Sequence, residues 1–80
     1  MSRAVYEIDE GPRAGRFVVA QWIERNACYV ADMTTQSKRL TGCSQVSSRT
    51  LRGLAASANV RTYASRPGAN RALRRAQDWE

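Results

Sequence analysis

The stretch RFVVAQWI, Arg16 to Ile23, constrains the fold more than any other part of the chain. Its β-branched and aromatic residues favour extended backbone. Alternation puts Phe17, Val19 and Ile23 on one side and Val18, Ala20 and Trp22 on the other, so both faces are apolar. Such a strand suits the middle of a sheet covered on at least one side, and the remaining residues have to supply its neighbours and its cover. With 80 residues there is room for one small domain, residues 1–80, burying roughly 60% of the surface of its unfolded chain.

The flanking segments fit that requirement. AVYEID alternates and stops at EGPRAG, where Gly11, Pro12 and Gly15 mark a turn or loop. ERNA reads as a hairpin turn, with Asn26 the residue most tolerant of positive φ, and CYVADM as the returning strand. TTQSKRLTG supports two patterns. Val30, Met33, Ser37 and Leu40 fit helical spacing with Gly42 as a C-terminal cap, whereas Thr34 and Thr35 fit a ladder continued from the hairpin. The strand reading is preferred here for Thr34 to Leu40.

Two helices are clearer. In SSRTLRGLAASANV, Ser47 or Ser48 can cap the first amides, Leu51, Leu54, Ala55 and Ala58 make one apolar stripe, and Asn59 ends the helix. Gly53 costs that helix roughly 1 kcal/mol relative to alanine, tolerable where glycine lets the helix lie close to a sheet. VRTYAS then alternates as a fourth strand. After SRPG, with Ser65 as cap and Pro67 in the first turn, Ala69, Ala72, Leu73, Ala76 and Trp79 form a second stripe. The predicted architecture is a single α+β domain, an antiparallel sheet packed with helices in the order βββαβα. Its core is expected to hold Phe17, Ile23, Leu51, Leu54 and Leu73.

Apolar residues at 42% and charged residues at 25% are globular values, and no run approaches the ~20 apolar residues of a membrane span. MSRAVYEIDE has no basic segment followed by an apolar one, so a cytoplasmic protein, with no membrane partner, is expected. Cys28 and Cys43 are then expected to be reduced. Without histidine the chain cannot assemble an ordinary zinc site, so no metal is expected, and no cofactor motif stands out: GPRAG lacks the lysine, the threonine and the strand-to-helix setting of a phosphate loop.

Catalysis is also unpromising. There is no histidine to act as a base near neutral pH, Glu7, Asp9, Glu10, Glu24 and Asp32 show no pairing suited to acid–base work, and Cys43 has no evident activating base. A non-enzymatic protein is expected. Charge is the most informative feature: thirteen basic residues, twelve of them arginine, oppose seven acidic ones, for a net charge of +6 and a pI near 10.4. Residues 1–40 hold six basic and five acidic side chains, and residues 41–80 hold seven and two. The guanidinium fork matches carboxylate or phosphate bidentately, so this segregation points to an anionic partner met by Arg61, Arg66, Arg71, Arg74 and Arg75. Arg71, Arg74 and Arg75 fall on one side of the last helix, opposite its alanine and leucine stripe. Trp22, Tyr29 and Tyr63 are available for stacking if that partner is a nucleic acid.

The segment LTGCSQVSSRTLRGLAASAN, Leu40 to Asn59, resembles HicB antitoxin-like domains, with a Gly-Cys strand end, a polar turn and an amphipathic helix. It differs in opening the helix with Arg49 and Arg52 where acidic residues are usual, so the resemblance concerns the fold. Double-stranded-RNA-binding-like domains share the element order, and integrase arm-type domains share a sheet with a helix; both imply a basic nucleic-acid-binding module. In size, single α+β domain and lack of a catalytic constellation, the whole chain resembles the anti-CRISPR proteins of phages and mobile elements. That resemblance implies a cytoplasmic inhibitor in the host cell that binds a Cas protein or a Cascade-type complex, such as that of a type I system, and stops target DNA from being captured or degraded. A chain this basic cannot mimic phosphate, so such an inhibitor would cover a site or engage an acidic patch.

Overall fold

The computed structural model describes residues 3–76. Four strands, β1 (Ala4–Glu7), β2 (Phe17–Ile23), β3 (Cys28–Asp32) and β4 (Gln45–Ser48), form one antiparallel sheet in the order β1-β2-β3-β4. Three helices accompany them: α1 (Thr35–Thr41), α2 (Leu51–Ala56) and α3 (Arg66–Arg75). The class is the expected α+β. The order, βββαβαα, opens as expected and adds a helix, although some letters rest on different residues from those anticipated.

Strand β2 is an inner strand, flanked by β1 and β3. The registers Tyr6↔Val18, Ala20↔Ala31, Trp22↔Tyr29 and Ala31↔Val46 put these side chains on one face. Leu54 packs there with Val18, Ala20 and Ala31, while Leu51 and Ala55 pack alongside, so α2 covers this face. The opposite face carries Glu7, Phe17, Val19, Gln21, Ile23 and Val30. Arg66 at the start of α3 lies over Phe17 and pairs with Glu7, which places α3 on that side. The sheet is sandwiched, which is why β2 is apolar in both directions. Of the expected core, Leu54 and Ile23 are buried, while Phe17, Leu51 and Leu73 are half-buried. Both cysteines are free thiols.

Thr34 to Leu40 is not a strand. Thr34 caps α1 by accepting from the Ser37 amide at 3.2 Å, and Gly42, at φ 74°, donates its N–H to the Lys38 carbonyl at 2.8 Å. Threonine acts here as a cap rather than a ladder residue, and Leu40 is 80% exposed, so the helical spacing carries no continuous apolar stripe. The partner of β3 is instead Gln45–Ser48, in which only Val46 is apolar. Ser47 and Ser48 therefore lie in a strand and Thr50 caps α2, accepting from the Gly53 amide at 2.9 Å.

Nor is Val60 to Ser65 a full strand. It makes two isolated bridges, Val60 with Met33 and Tyr63 with Phe17. The reason is topological, because the chain has to pass from α2 on one face to α3 on the other, and it does so across the ends of β3 and β2. Crossing both strands precludes a continuous ladder with either. The β2–β3 connection is a short 3-10 turn, Glu24–Asn26, and its left-handed residue is Ala27, at φ 50°, rather than Asn26. Trp79, expected on the last apolar stripe, lies outside the described residues.

Candidate functional site: a basic cleft and an apolar cleft

Helix α3 begins at Ser65, whose hydroxyl accepts from the Gly68 amide at 3.2 Å. Its buried Ala69 turns towards the sheet, and Arg71, Arg74 and Arg75 are exposed, as their spacing predicts. They do not share one surface, however. Arg71 and Arg75, one turn apart, line a cleft of about 340 Å³ together with Arg3, Arg61, Asp32 and Tyr63. Arg74 is absent from its lining. Arg66 is also elsewhere, 4.9 Å from the centre of the Phe17 ring and 3.5 Å from the Glu7 carboxylate.

Four guanidinium-bearing residues thus surround one carboxylate. Arg3 approaches Asp32 at 3.9 Å with its side chain largely buried, and Arg61 lies 6.0 Å from the centre of the Tyr63 ring. Burial raises the Tyr63 hydroxyl above its usual pKa, against the opposing pull of the Arg61 charge. The cleft offers an aromatic wall beneath a positive rim. An anionic group entering it would meet the outward guanidinium groups of Arg61, Arg71 and Arg75 with little competition from the protein's own acids. Arg3, near the N-terminal end of the described chain, is a member that sequence reasoning missed. Nothing local at that residue signals its place; the β1–β2–β3 pairing brings it beside Asp32.

The other stacking candidates are engaged with each other. Trp22 and Tyr29, opposite one another on β2 and β3, meet edge to face with ring centres 4.9 Å apart, and Tyr29 meets Tyr6 in the same manner at 6.3 Å. The Trp22 indole donates to the Glu24 carboxylate at 2.6 Å.

A larger cleft lies on the α2 side. The β1–β2 loop folds back on itself, with the Ile8 amide donating to the Arg16 carbonyl and the Gly15 amide to the Ile8 carbonyl, both at 2.8 Å. Gly15 does this at φ 87°, a conformation that a side chain would strain. The Arg13 guanidinium reaches from this loop to the C-terminal end of α2, donating to the Ala55 carbonyl at 3.0 Å and to that of Ser57. Arg52 pairs with Glu10 at 2.6 Å. Between loop and helix is a space of about 810 Å³ whose walls include Tyr6, Ile8, Val18, Leu51 and Ala55. Sequence reading recognised the loop and the helix stripe separately. It had no signal that Arg13 and Arg52 tie one to the other.

Four of the five described carboxylates thus have a donor of their own: Glu7 has Arg66, Glu10 has Arg52, Glu24 has Trp22 and Asp32 has Arg3. Among the described residues no three His, Cys, Asp or Glu side chains group as metal ligands, and no helix is long and apolar enough to cross a membrane. Compared with protein-family models, with curated proteins and with solved structures, the chain matches none of them.

Proposed function

We propose that this chain is a non-enzymatic inhibitor that docks through its basic cleft on an anionic surface of a Cas effector protein or complex and blocks capture or degradation of target DNA. The observation that supports it is the convergence of Arg61, Arg71 and Arg75 with Arg3 around a cleft containing a single acid, Asp32. Folding has little use for such a grouping, because like charges one helical turn apart cost roughly 0.2 to 0.5 kcal/mol per pair. Occlusion suits the chain better than chemistry does, since its carboxylates are largely committed to arginine or indole donors and there is no histidine. The resemblance in size and architecture to anti-CRISPR proteins supplies the class of partner.

A second reading is a basic nucleic-acid-binding module, favoured by the Tyr63 ring lying among the same arginines. One pair of variants tests both readings. Arg71→Glu/Arg75→Glu should weaken capture of a purified type I effector complex by well over tenfold, more than ~1.4 kcal/mol, while Arg74→Glu changes it by less than about threefold. Equal effects of the two variants would remove the cleft from the argument. If unrelated duplex DNA is bound instead, with a loss of about a thousandfold between roughly 50 and 200 mM salt, the nucleic-acid reading replaces the inhibitor.

A further inference from the structure

We propose that the basic cleft takes an extended protein segment with aspartate or glutamate at two alternate positions, one carboxylate meeting Arg71 and the other Arg75. The choice of a protein partner rests on the docking reading above, while the chemistry of the ligand rests on the cleft alone.

Arg71 and Arg75 are strung along α3 rather than aimed at one point. Nη2 of Arg71 lies 3.9 Å from where a Cβ on Gly68 would sit, so its guanidinium turns back over the first turn of the helix, the direction in which helical side chains lean. Arg75 joins the same lining one turn later, with Ala72 and Ala76. Helix positions four apart are about 5 to 6 Å apart at Cβ, and side chains on one side of an extended strand repeat at about 6 to 7 Å, so acids at alternate positions match the two arginines. Adjacent acids on a strand point to opposite sides, and only one of them would face the cleft. A helix about 10 Å across does not enter a space of about 340 Å³, the volume of a cube roughly 7 Å on an edge.

The positive charges are available. Arg61, Arg71 and Arg75 are exposed and make no ion pair among the described residues, whereas Asp32, the one carboxylate in the lining, pairs with Arg3. The Tyr63 hydroxyl has no hydrogen-bond partner among the described residues, and burial holds its proton, so it adds a neutral donor to the same wall. Asp32 disfavours a phosphoryl group as the ligand. Such a group gathers up to about two negative charges at one centre, which Asp32 repels. Two carboxylates spread the same charge along α3, where neither Arg71 nor Arg75 is within pairing distance of Asp32.

Because a chain of charge +6 attracts any anion, the test holds charge constant and varies its spacing. Three capped pentapeptides of charge near −2, with central sequences Asp-Val-Asp, Asp-Asp-Val and Val-phosphoserine-Val, are titrated at about 150 mM salt onto the full chain labelled with nitrogen-15. Asp-Val-Asp should shift the side-chain N–H resonances of Arg71 and Arg75 and the amide of Tyr63, and bind at least about fivefold more tightly than the other two. Arg71→Gln/Arg75→Gln should erase that preference and Arg74→Gln should keep it within about twofold. These arginines are exposed, so both variants should melt within a few degrees of wild type, and Arg75→Gln alone replaces the double variant if that one does not fold. Asp78→Asn/Glu80→Gln should change the affinity by less than about threefold; a larger gain shows that the chain's own alternate acids fill the cleft, and overturns the proposal. A second arm asks whether Asp-Val-Asp displaces a purified type I effector complex from the immobilised chain. Peptide binding without displacement supports the ligand assigned here and removes the docking reading. Effector capture that depends on Arg71 and Arg75 but comes with no preference among the peptides keeps the docking reading and overturns the ligand, as do tighter binding of the phosphoserine peptide and absence of shifts up to millimolar Asp-Val-Asp.

Discussion

Leu54→Ala should remove much of the stability of this domain, and the structure says how. Leu54 is fully buried, at 0% exposure, against Ile8, Val18, Ala20, Ala31 and Val60. These neighbours come from the β1–β2 loop, two strands and the crossing segment, so one side chain joins four parts of the chain that are distant in sequence. Truncating a buried leucine costs about 2 to 5 kcal/mol, the spread reflecting how far the surroundings collapse. Collapse is limited here. Ala20 and Ala31 sit on a hydrogen-bonded ladder, and the part-buried Arg13 bonds hold α2 to the loop, so the upper half of that range, about 3 to 5 kcal/mol, is expected.

An 80-residue domain has about 4 to 12 kcal/mol in all. The variant should therefore retain no more than about three quarters of the wild-type midpoint in urea, followed by circular dichroism, and should be unfolded without urea if the domain lies at the low end of that stability range. Helix α2 has only six residues and cannot persist in water unaided, so its signal should vanish with the sheet in one transition. Leu54→Met, which conserves volume, should cost less than about 1.5 kcal/mol. A Leu54→Ala loss below about 1 kcal/mol, or a helix transition separated from that of the sheet, would refute the packing described.

Two further perturbations probe the helix contact and the basic cleft. A Cβ on Gly53 would collide with the Ser48 hydroxyl of β4 and crowd the capping Thr50 hydroxyl at 3.0 Å, so Gly53→Ala should be less unfavourable in a Ser48→Ala background than in wild type, without reaching the full ~1 kcal/mol gain of alanine over glycine, in urea melts; equal effects in both backgrounds would count against the Ser48 contact. Tyr63 is raised above its usual pKa, chiefly by burial, so the native state holds that proton more tightly than the unfolded chain, and stability should fall as pH rises through and above about 10. Tyr63→Phe should flatten that fall, and an unchanged alkaline limb of the pH–stability curve would show that Tyr63 does not titrate as argued.

What could be read from the sequence, and what could not, divides along physical lines. RFVVAQWI disclosed an inner strand covered by helices because its side-chain pattern is set by the environment on each face. The LRGLAA and RPGANRALRR helices were legible for the same reason, together with the serine and proline that open the second. Gln45–Ser48 was not, since an edge strand with one apolar residue gains its structure from the ladder with β3 rather than from its own pattern. Thr34 misled because a β-branched residue can serve a ladder or a cap, and Gly42 at positive φ decided for the cap. The basic cleft was half legible. Helical spacing brought Arg71 and Arg75 together and turned them outward, but Arg3, Asp32 and Tyr63 reach them only through strand pairing and the crossing segment. Asp78, four residues after Arg74 and three after Arg75, lies outside the described residues.

The crossing segment also explains how so small a domain comes to have two unlike surfaces. A single helix-covered sheet would leave one face open to water, and β2 could not then be apolar on both sides. By carrying the chain over the ends of β3 and β2, Val60–Tyr63 lets α2 and α3 cover opposite faces. Val60 is buried against Leu54 on one side, and Tyr63 lines the basic cleft on the other. The acids of the β1–β2 loop and the arginines of α3 are thereby kept on separate faces rather than neutralising one another, apart from the exposed Glu7–Arg66 pair at the edge. An exposed pair of that kind contributes little to stability. The separation of charge is thus a consequence of topology, and any substitution that unseats the crossing, such as Val60→Asp, should disturb both clefts together rather than either alone.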